Sequence, residues 1–388
     1  MADLNDNNEF KVIAFYLPQF HSIPENDEAY GKGFTEWTNV KKAMPLFEGH
    51  YQPRTPMNGN YYSLLEKGVM KEQSNTAQDY GIYGFCYYHY WFKNGKKLLE
   101  KPIENMLYEK DITIPFCLCW ANENWSKRWD GGNNEVIVEQ DYGGELDWDL
   151  HLQYLLHFFR DDRYIKIDGK PMFIVYKPEI IPKYLTWVRY MRKRILDYGF
   201  KGIVIIAQHP NYILKGYSRR VFDYFIEFEP SYTRIEEKIK NVNRIKLKLS
   251  RTANDFGLSN ILKTIIKSKC NANIANKCQE LTIRDYDLDW IRNIERDPIC
   301  PKMIKGAFVD WDNTPRNKRG IIYRGSTPDK FYSYFLKLIN KTKCTYMKKV
   351  IFVNAWNEWA EGAYLEPDEK YGYAYLQSLK KALDDCCE

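Results

Sequence analysis

A chain of 388 residues, 44% of them hydrophobic, can bury a substantial core as one large domain or two smaller ones. Its formal charge of +6 is local: ten Lys and Arg face three acids between Arg234 and Lys269, and everything outside that segment sums to about −1. A nucleic-acid footprint spread over the whole protein is therefore excluded. The start, MADLNDNNEFKV, carries no basic-then-apolar leader, no run reaches bilayer length, and nine cysteines lack a secreted-scaffold spacing, so a cytoplasmic protein is expected. No HExxH, P-loop or GxGxxG is present, and neither a metal nor another cofactor is expected.

Taken in chain order, eight short runs rich in Val, Ile, Phe and Tyr recur. They are KVIAFYL (11–17), YGFCYYHYW (83–91), ITIPFCLCW (112–120), PMFIVY (171–176), GIVIIAQ (202–208), FDYFIEFEP (222–230), KGAFVDWD (305–312) and KVIFVNAWNEW (349–359). Helical spacing follows between them, as in Tyr61–Tyr80, Leu146–Arg160, Ile181–Tyr198, Lys330–Asn340 and Tyr371–Leu383. Continuous apolar strands alternating with amphipathic helices predict a parallel sheet covered on its outside. Eight such units predict one α/β domain over 1–388, a (β/α)8 TIM barrel. The sixth-to-seventh connection is too long for a plain crossover, so residues 232–300 are expected to be an inserted, basic, helical segment. Within it, Asn260–Lys269 puts Ile261, Leu262, Ile265 and Ile266 on one face with lysines beside it. That helix suits docking on the barrel, and the 234–269 segment also suits peripheral contact with an anionic membrane or a lipid-linked glycan.

Chemistry in such a barrel gathers where the strands end. The runs end in His89-Tyr90-Trp91, in Trp120 with Asn122, Glu123 and Trp125, in Gln208-His209, in Glu227-Phe228-Glu229, in Trp311-Asp312 and in Trp356-Asn357-Glu358. The first long loop adds Glu36-Trp37. Indole faces for stacking beside amides, imidazoles and carboxylates suit an oligo- or polysaccharide substrate. Glu36, Trp37, His89, Trp91, Trp120, Asn122, Glu123, Trp125, His209, Glu227, Trp311, Asp312, Trp356 and Asn357 are expected around it.

Breaking a glycosidic bond takes one carboxyl that donates a proton and a second, ionised one. Glu358, at the tip of the eighth strand, and Glu361, beside the permissive Gly362, are close enough in sequence to share one site. Two carboxylates held close push their pKa values apart and so divide the two tasks. Glu366-Pro367 follows and can cap a helix or orient the pair.

Four blocks, FYLPQFHSIPENDEAYGKGFTEWTNV (15–40), YGFCYYHYWF (83–92), WANENWSKRWDG (120–131) and VNAWNEWAEGAYLEPD (353–368), resemble the WbsX-like proteins of bacterial polysaccharide and O-antigen or capsule loci. That family is related to glycoside hydrolase family 99, the endo-acting α-mannosidases and mannanases, which are retaining (β/α)8 barrels. The resemblance implies that Asn357-Glu358-Trp359-Ala360-Glu361-Gly362, with Glu366-Pro367, is the catalytic stretch. It implies Glu361 as acid/base and Glu358 as the base on the sugar's 2-hydroxyl, giving a 1,2-anhydro intermediate.

The expectation is a retaining, endo-acting glycoside hydrolase or transglycosidase acting on a surface polysaccharide or its precursor. The alternative is a nucleotide-sugar-dependent glycosyltransferase, for which Asp285-Tyr-Asp287-Leu-Asp289 and Asp310-Trp-Asp312 supply DxD patterns. A third class, a glycan-binding protein without turnover, would have no need of paired glutamates.

Overall fold

The computed structural model describes residues 2–4, 10–127, 135–208, 218–241 and 281–386. The barrel strands are β1 (Lys11–Tyr16), β2 (Gly84–Trp91), β3 (Phe116–Trp120), β4 (Lys170–Val175), β5 (Val204–Gln208), β6 (Tyr224–Ile226), β7 (Met303–Phe308) and β8 (Val350–Asn354). Each pairs in parallel with the next, and β8 returns to β1 with Lys11 to Ala14 opposite Val350 to Val353. The expected closed barrel forms because nearly every residue of these strands is apolar and buried, leaving neither face fit for water.

A helix follows each strand: α1 (Val69–Asp79), α2 (Lys101–Tyr108), α3 (Glu145–Phe159), α4 (Tyr184–Asp197), the single turn α5 (Ser218–Val221), α6 (Tyr286–Glu295), α7 (Pro328–Thr345) and α8 (Ala374–Asp385). α7 shows the local logic. Thr327 caps it by accepting from the Lys330 N–H, Pro328 opens it, and Phe331, Phe335, Leu338, Ile339 and Thr342 form the buried stripe.

A helix over residues 231–241 opens segment 232–300, and further on Thr282–Asp285 pairs in parallel with Ile321–Arg324. α6 lies on the barrel wall, where Trp290 stacks on Phe308 of β7 at 5.2 Å. The basic stretch 242–269, with the helix expected over Asn260–Lys269, lies outside the described residues, and so does His209. Among the described residues no helix is long and apolar enough to cross a membrane.

Candidate active site

β8 ends at Asn354, five residues before the sequence pattern suggested, and the chain turns back on itself at the barrel mouth. Asn357–Glu358 pairs antiparallel with Ala363–Tyr364, and the turn Trp359–Glu361 forms the tip. Gly362 closes that turn at φ 64°, where a Cβ would lie 2.9 Å from the Asp312 nitrogen and 3.0 Å from the Arg54 guanidinium. The Asp312 N–H donates to the Glu361 carbonyl at 2.7 Å, tying the turn to the end of β7. Both glutamates are thus presented from a hairpin held at its two ends.

Their side chains meet on Arg316, from the loop after β7. Its Nη1 donates to Glu361 Oε1 at 2.6 Å, and its Nη2 donates to Glu36 Oε1 at 2.6 Å and to Glu358 Oε2 at 3.2 Å. Glu36 is fully buried, Glu358 is nearly so, and the Glu361 side chain is 21% exposed. One cation serves three carboxylates. Burial, reinforced by the neighbouring Glu361, raises the pKa of Glu358 well above the usual carboxylate range, while Arg316 pulls it back. Burial likewise raises Glu36 against the opposing pull of Arg316. For Arg316 burial works against the charge, but the three glutamates outweigh it and hold the guanidinium above its ordinary pKa.

Glu358, Glu361 and Arg316 line a cavity of about 550 Å³ at the C-terminal ends of the strands. Glu123, Trp125 and Trp311 line it too. Glu123 pairs with Lys177 at 2.6 Å, and Trp125 donates from Nε1 to Asn26 at 2.9 Å while meeting the Tyr90 ring edge-on. Glu36 stands behind Arg316, and its Oε1 also accepts from the Ala360 N–H at 3.3 Å. The structure therefore brings together Glu36, Glu123, Trp125, Trp311, Glu358 and Glu361.

The remaining expected residues are placed elsewhere, for physical reasons. Side chains alternate along a strand, so on β2 Tyr88 and Tyr90 face the cavity while His89 and Trp91 face the helix layer. There His89 Nε2 meets His151 Nε2 of α3 at 2.9 Å, and Trp91 stacks on the His151 ring at 4.7 Å. Burial lowers the His89 pKa to about 3, so this is a neutral packing pair. Trp120 packs on the same His151 and donates to the Trp91 carbonyl at 3.1 Å. Asn122 clamps the ends of β3 and β4, accepting from the Lys177 N–H and donating to its carbonyl, both at 2.8 Å. Glu227 sits in a buried ion network with Lys305 at 2.9 Å and Arg296 at 3.0 Å, and accepts from the Tyr346 hydroxyl at 2.9 Å.

Asp312 accepts from Gln52 Nε2 and pairs with His50 Nε2, both at 2.8 Å, so it fixes the first loop. Asn357 bonds to both backbone groups of Leu17. Trp37 packs on Trp359 at 5.4 Å and donates to the Tyr62 carbonyl. Trp356 lies behind the hairpin, in the wall of a second cavity of about 640 Å³. Glu366 lies in the same wall and accepts from Tyr62 at 2.8 Å, Gln73 at 2.6 Å and Trp359 at 2.6 Å. Burial raises its pKa to about 7 despite those donors. Glu366 thus ties the Trp359–Glu361 turn to Tyr62 and Gln73 behind it.

A family model described as Glycosyltransferase WbsX matches residues 12–379. The chain belongs to the WbsX family. The uncharacterized protein WxcX of Xanthomonas campestris pv. campestris strain B100 is 34% identical over 380 residues, and the match in strain ATCC 33913 is the same. These alignments cover 96% of the chain but 49% of each relative, so the chain spans about half the length of the curated relatives it matches. A solved glycoside hydrolase-like protein superposes over 97% of this chain and 94% of its own, with TM-score 0.53 and 15% identity. The GH99 endo-alpha-mannosidase from Bacteroides thetaiotaomicron superposes over 97% of both chains, with TM-score 0.50 and 12% identity. At such identities the likeness is one of fold: this WbsX-family protein has a glycoside hydrolase-like barrel.

Sequence reasoning missed Arg316, Tyr88, Tyr90, Tyr176 and Phe228, which all line the cavity that holds Glu358 and Glu361. Strand parity carries the signal for the two β2 tyrosines. Arg316, four residues past Asp312, carries none beyond its place in a strand-end loop.

Proposed function

We propose that this WbsX-family protein is a carbohydrate-active enzyme, a retaining, endo-acting glycoside hydrolase or transglycosidase that uses Glu358 and Glu361 on a bacterial surface polysaccharide or its precursor. The observation that carries this reading is that both side chains reach one cavity at the strand ends and share one guanidinium. In the first step Glu361 gives its proton to the glycosidic oxygen as the bond to the anomeric carbon breaks. Glu358 takes the proton of the sugar's 2-hydroxyl, whose oxygen closes on the anomeric carbon as a 1,2-anhydro ring. Water or an acceptor hydroxyl then opens that ring, losing its proton to Glu361, and the 2-oxygen recovers one from Glu358. An alcohol proton is held tightly, so a base of raised pKa is better matched to it than an ordinary glutamate. A sugar reaching both carboxylates must take over part of the space that Arg316 fills.

The aromatic lining of Tyr88, Tyr90, Trp125, Tyr176 and Trp311 supports a glycan as the occupant. Replacing Glu361 with Gln is expected to lower turnover of the source bacterium's own surface polysaccharide about 1000-fold while glycan binding persists. An unchanged rate removes Glu361 from the mechanism.

The family description favours a second reading, a nucleotide-sugar glycosyltransferase. Its DxD carboxylates already have protein partners: Asp310 pairs with Arg54 and Asp312 with His50, while Asp285 caps α6 and Asp287 pairs with Lys330. Glycosyl transfer from a nucleotide sugar that stops in chelator and survives Glu361→Gln would decide for this second reading.

A further inference from the structure

The charged groups around the cavity can be matched one against another. Glu358 and Glu361 are engaged by Arg316, and Glu123 by Lys177. Among the described residues, the remaining charged lining residue is Arg234, in the helical stretch 231–241. Its Nη2 donates to Ser231 Oγ at 3.0 Å, and its guanidinium carbon lies 5.8 Å from the centre of the Trp311 ring. No carboxylate among the described residues pairs with it. The half-buried Arg234 therefore faces the cavity with a hydroxyl and an aromatic ring for company.

That setting is specific. A guanidinium resting on an indole keeps its edge donors available, and its planar fork matches a carboxylate or phosphate with two parallel bonds. Ser231 accepts from Arg234 and keeps its own hydroxyl proton to donate. Asn313 and Asn317 on the same cavity wall add amide donors, and the buried Trp311 Nε1 has no hydrogen-bond partner among the described residues. A neutral sugar gives such a group little that water does not, whereas an anion answers both its charge and its geometry.

We infer that Arg234, with Ser231 and Trp311, receives an anionic group, carboxylate or phosphate, carried by the glycan that occupies the cavity. This rests on the reading of the cavity as a glycan site, but not on the roles given to the two glutamates.

The test is calorimetric titration of the full chain with glucose, glucuronate and glucose 6-phosphate. Both charged sugars are expected to bind at least roughly tenfold more tightly than glucose, as one charge-assisted contact allows. The stronger of the two identifies the anion as carboxylate or phosphate. Arg234→Gln should close the gap, and Arg234→Lys should keep part of it. An equal response to all three sugars overturns the inference, as does a gap equally wide in Arg234→Gln. Glu361→Gln separates the two claims: if it keeps both the gap and full turnover, the glutamate mechanism fails and the anion site stands. If it loses turnover while wild type shows no gap, the mechanism stands and the anion site fails.

Discussion

Arg316 decides how the two glutamates behave. Without it, Glu358 would face Glu361 and Glu36 in a site shielded from water, and like charges there favour the protonated form of Glu358. Its guanidinium lowers the pKa of Glu358 against the larger upward push of burial and the further push of Glu361. In the proposed mechanism Glu358 must be ionised to take a proton, so the acid limb of kcat/KM would rise through its pKa. Replacing Arg316 with Gln removes the lowering influence, so the limb should move to higher pH, by roughly one unit or more. Activity lost near neutrality should then return on the alkaline side. A pH profile of the variant measures this directly, and a limb that stays in place or moves to lower pH would show that Arg316 does not control the ionisation of Glu358.

Elements explain what could be foreseen and what could not. The eight strands were legible because each is a continuous apolar run, and closure of β8 on β1 followed from their number. Glu358 and Glu361 were legible because a strand end concentrates the polar groups of its loop. His89, Trp91 and Trp120 read equally well as lining residues, since residue type says nothing about which side of a strand a side chain takes. Parity settled by packing put them against His151 of α3 instead. Glu227 was obscured for another reason: Lys305 and Arg296, its partners, stand 78 and 69 positions away. The β6–β7 seam beside that network tolerates no side chain at Gly306, where a Cβ would come within 1.7 Å of the Glu227 carbonyl oxygen. Gly306→Ala must therefore push the strands apart and strain the buried ion network, costing about 3 kcal/mol or more. Urea unfolding of the variant beside wild type measures the loss; equal midpoints would mean that the seam yields freely.

At the scale of the whole molecule, the barrel must close between its first and last strands for the glutamates to meet anything. The ladder between β1 and β8 runs from Lys11 to Ala14, and beyond it one side chain continues the seam. Asn357 Oδ1 accepts from the Leu17 N–H at 2.7 Å and its Nδ2 donates to the Leu17 carbonyl at 3.1 Å, across 340 positions of chain. This amide does the work of another backbone pair while the main chain turns away into the hairpin. It also fixes the residue next to Glu358 relative to the loop carrying Gln19 and Glu36. Replacing Asn357 with Ala leaves a buried N–H and a buried carbonyl unpaired, a cost of about 2–4 kcal/mol. Glu358 should also lose its register with Arg316 and Glu361. Asn357→Ala is therefore expected to lower the urea midpoint and, at a temperature where the variant remains folded, to lower kcat more than it raises KM. If stability falls and kcat is untouched, the seam closes the barrel without positioning its chemistry.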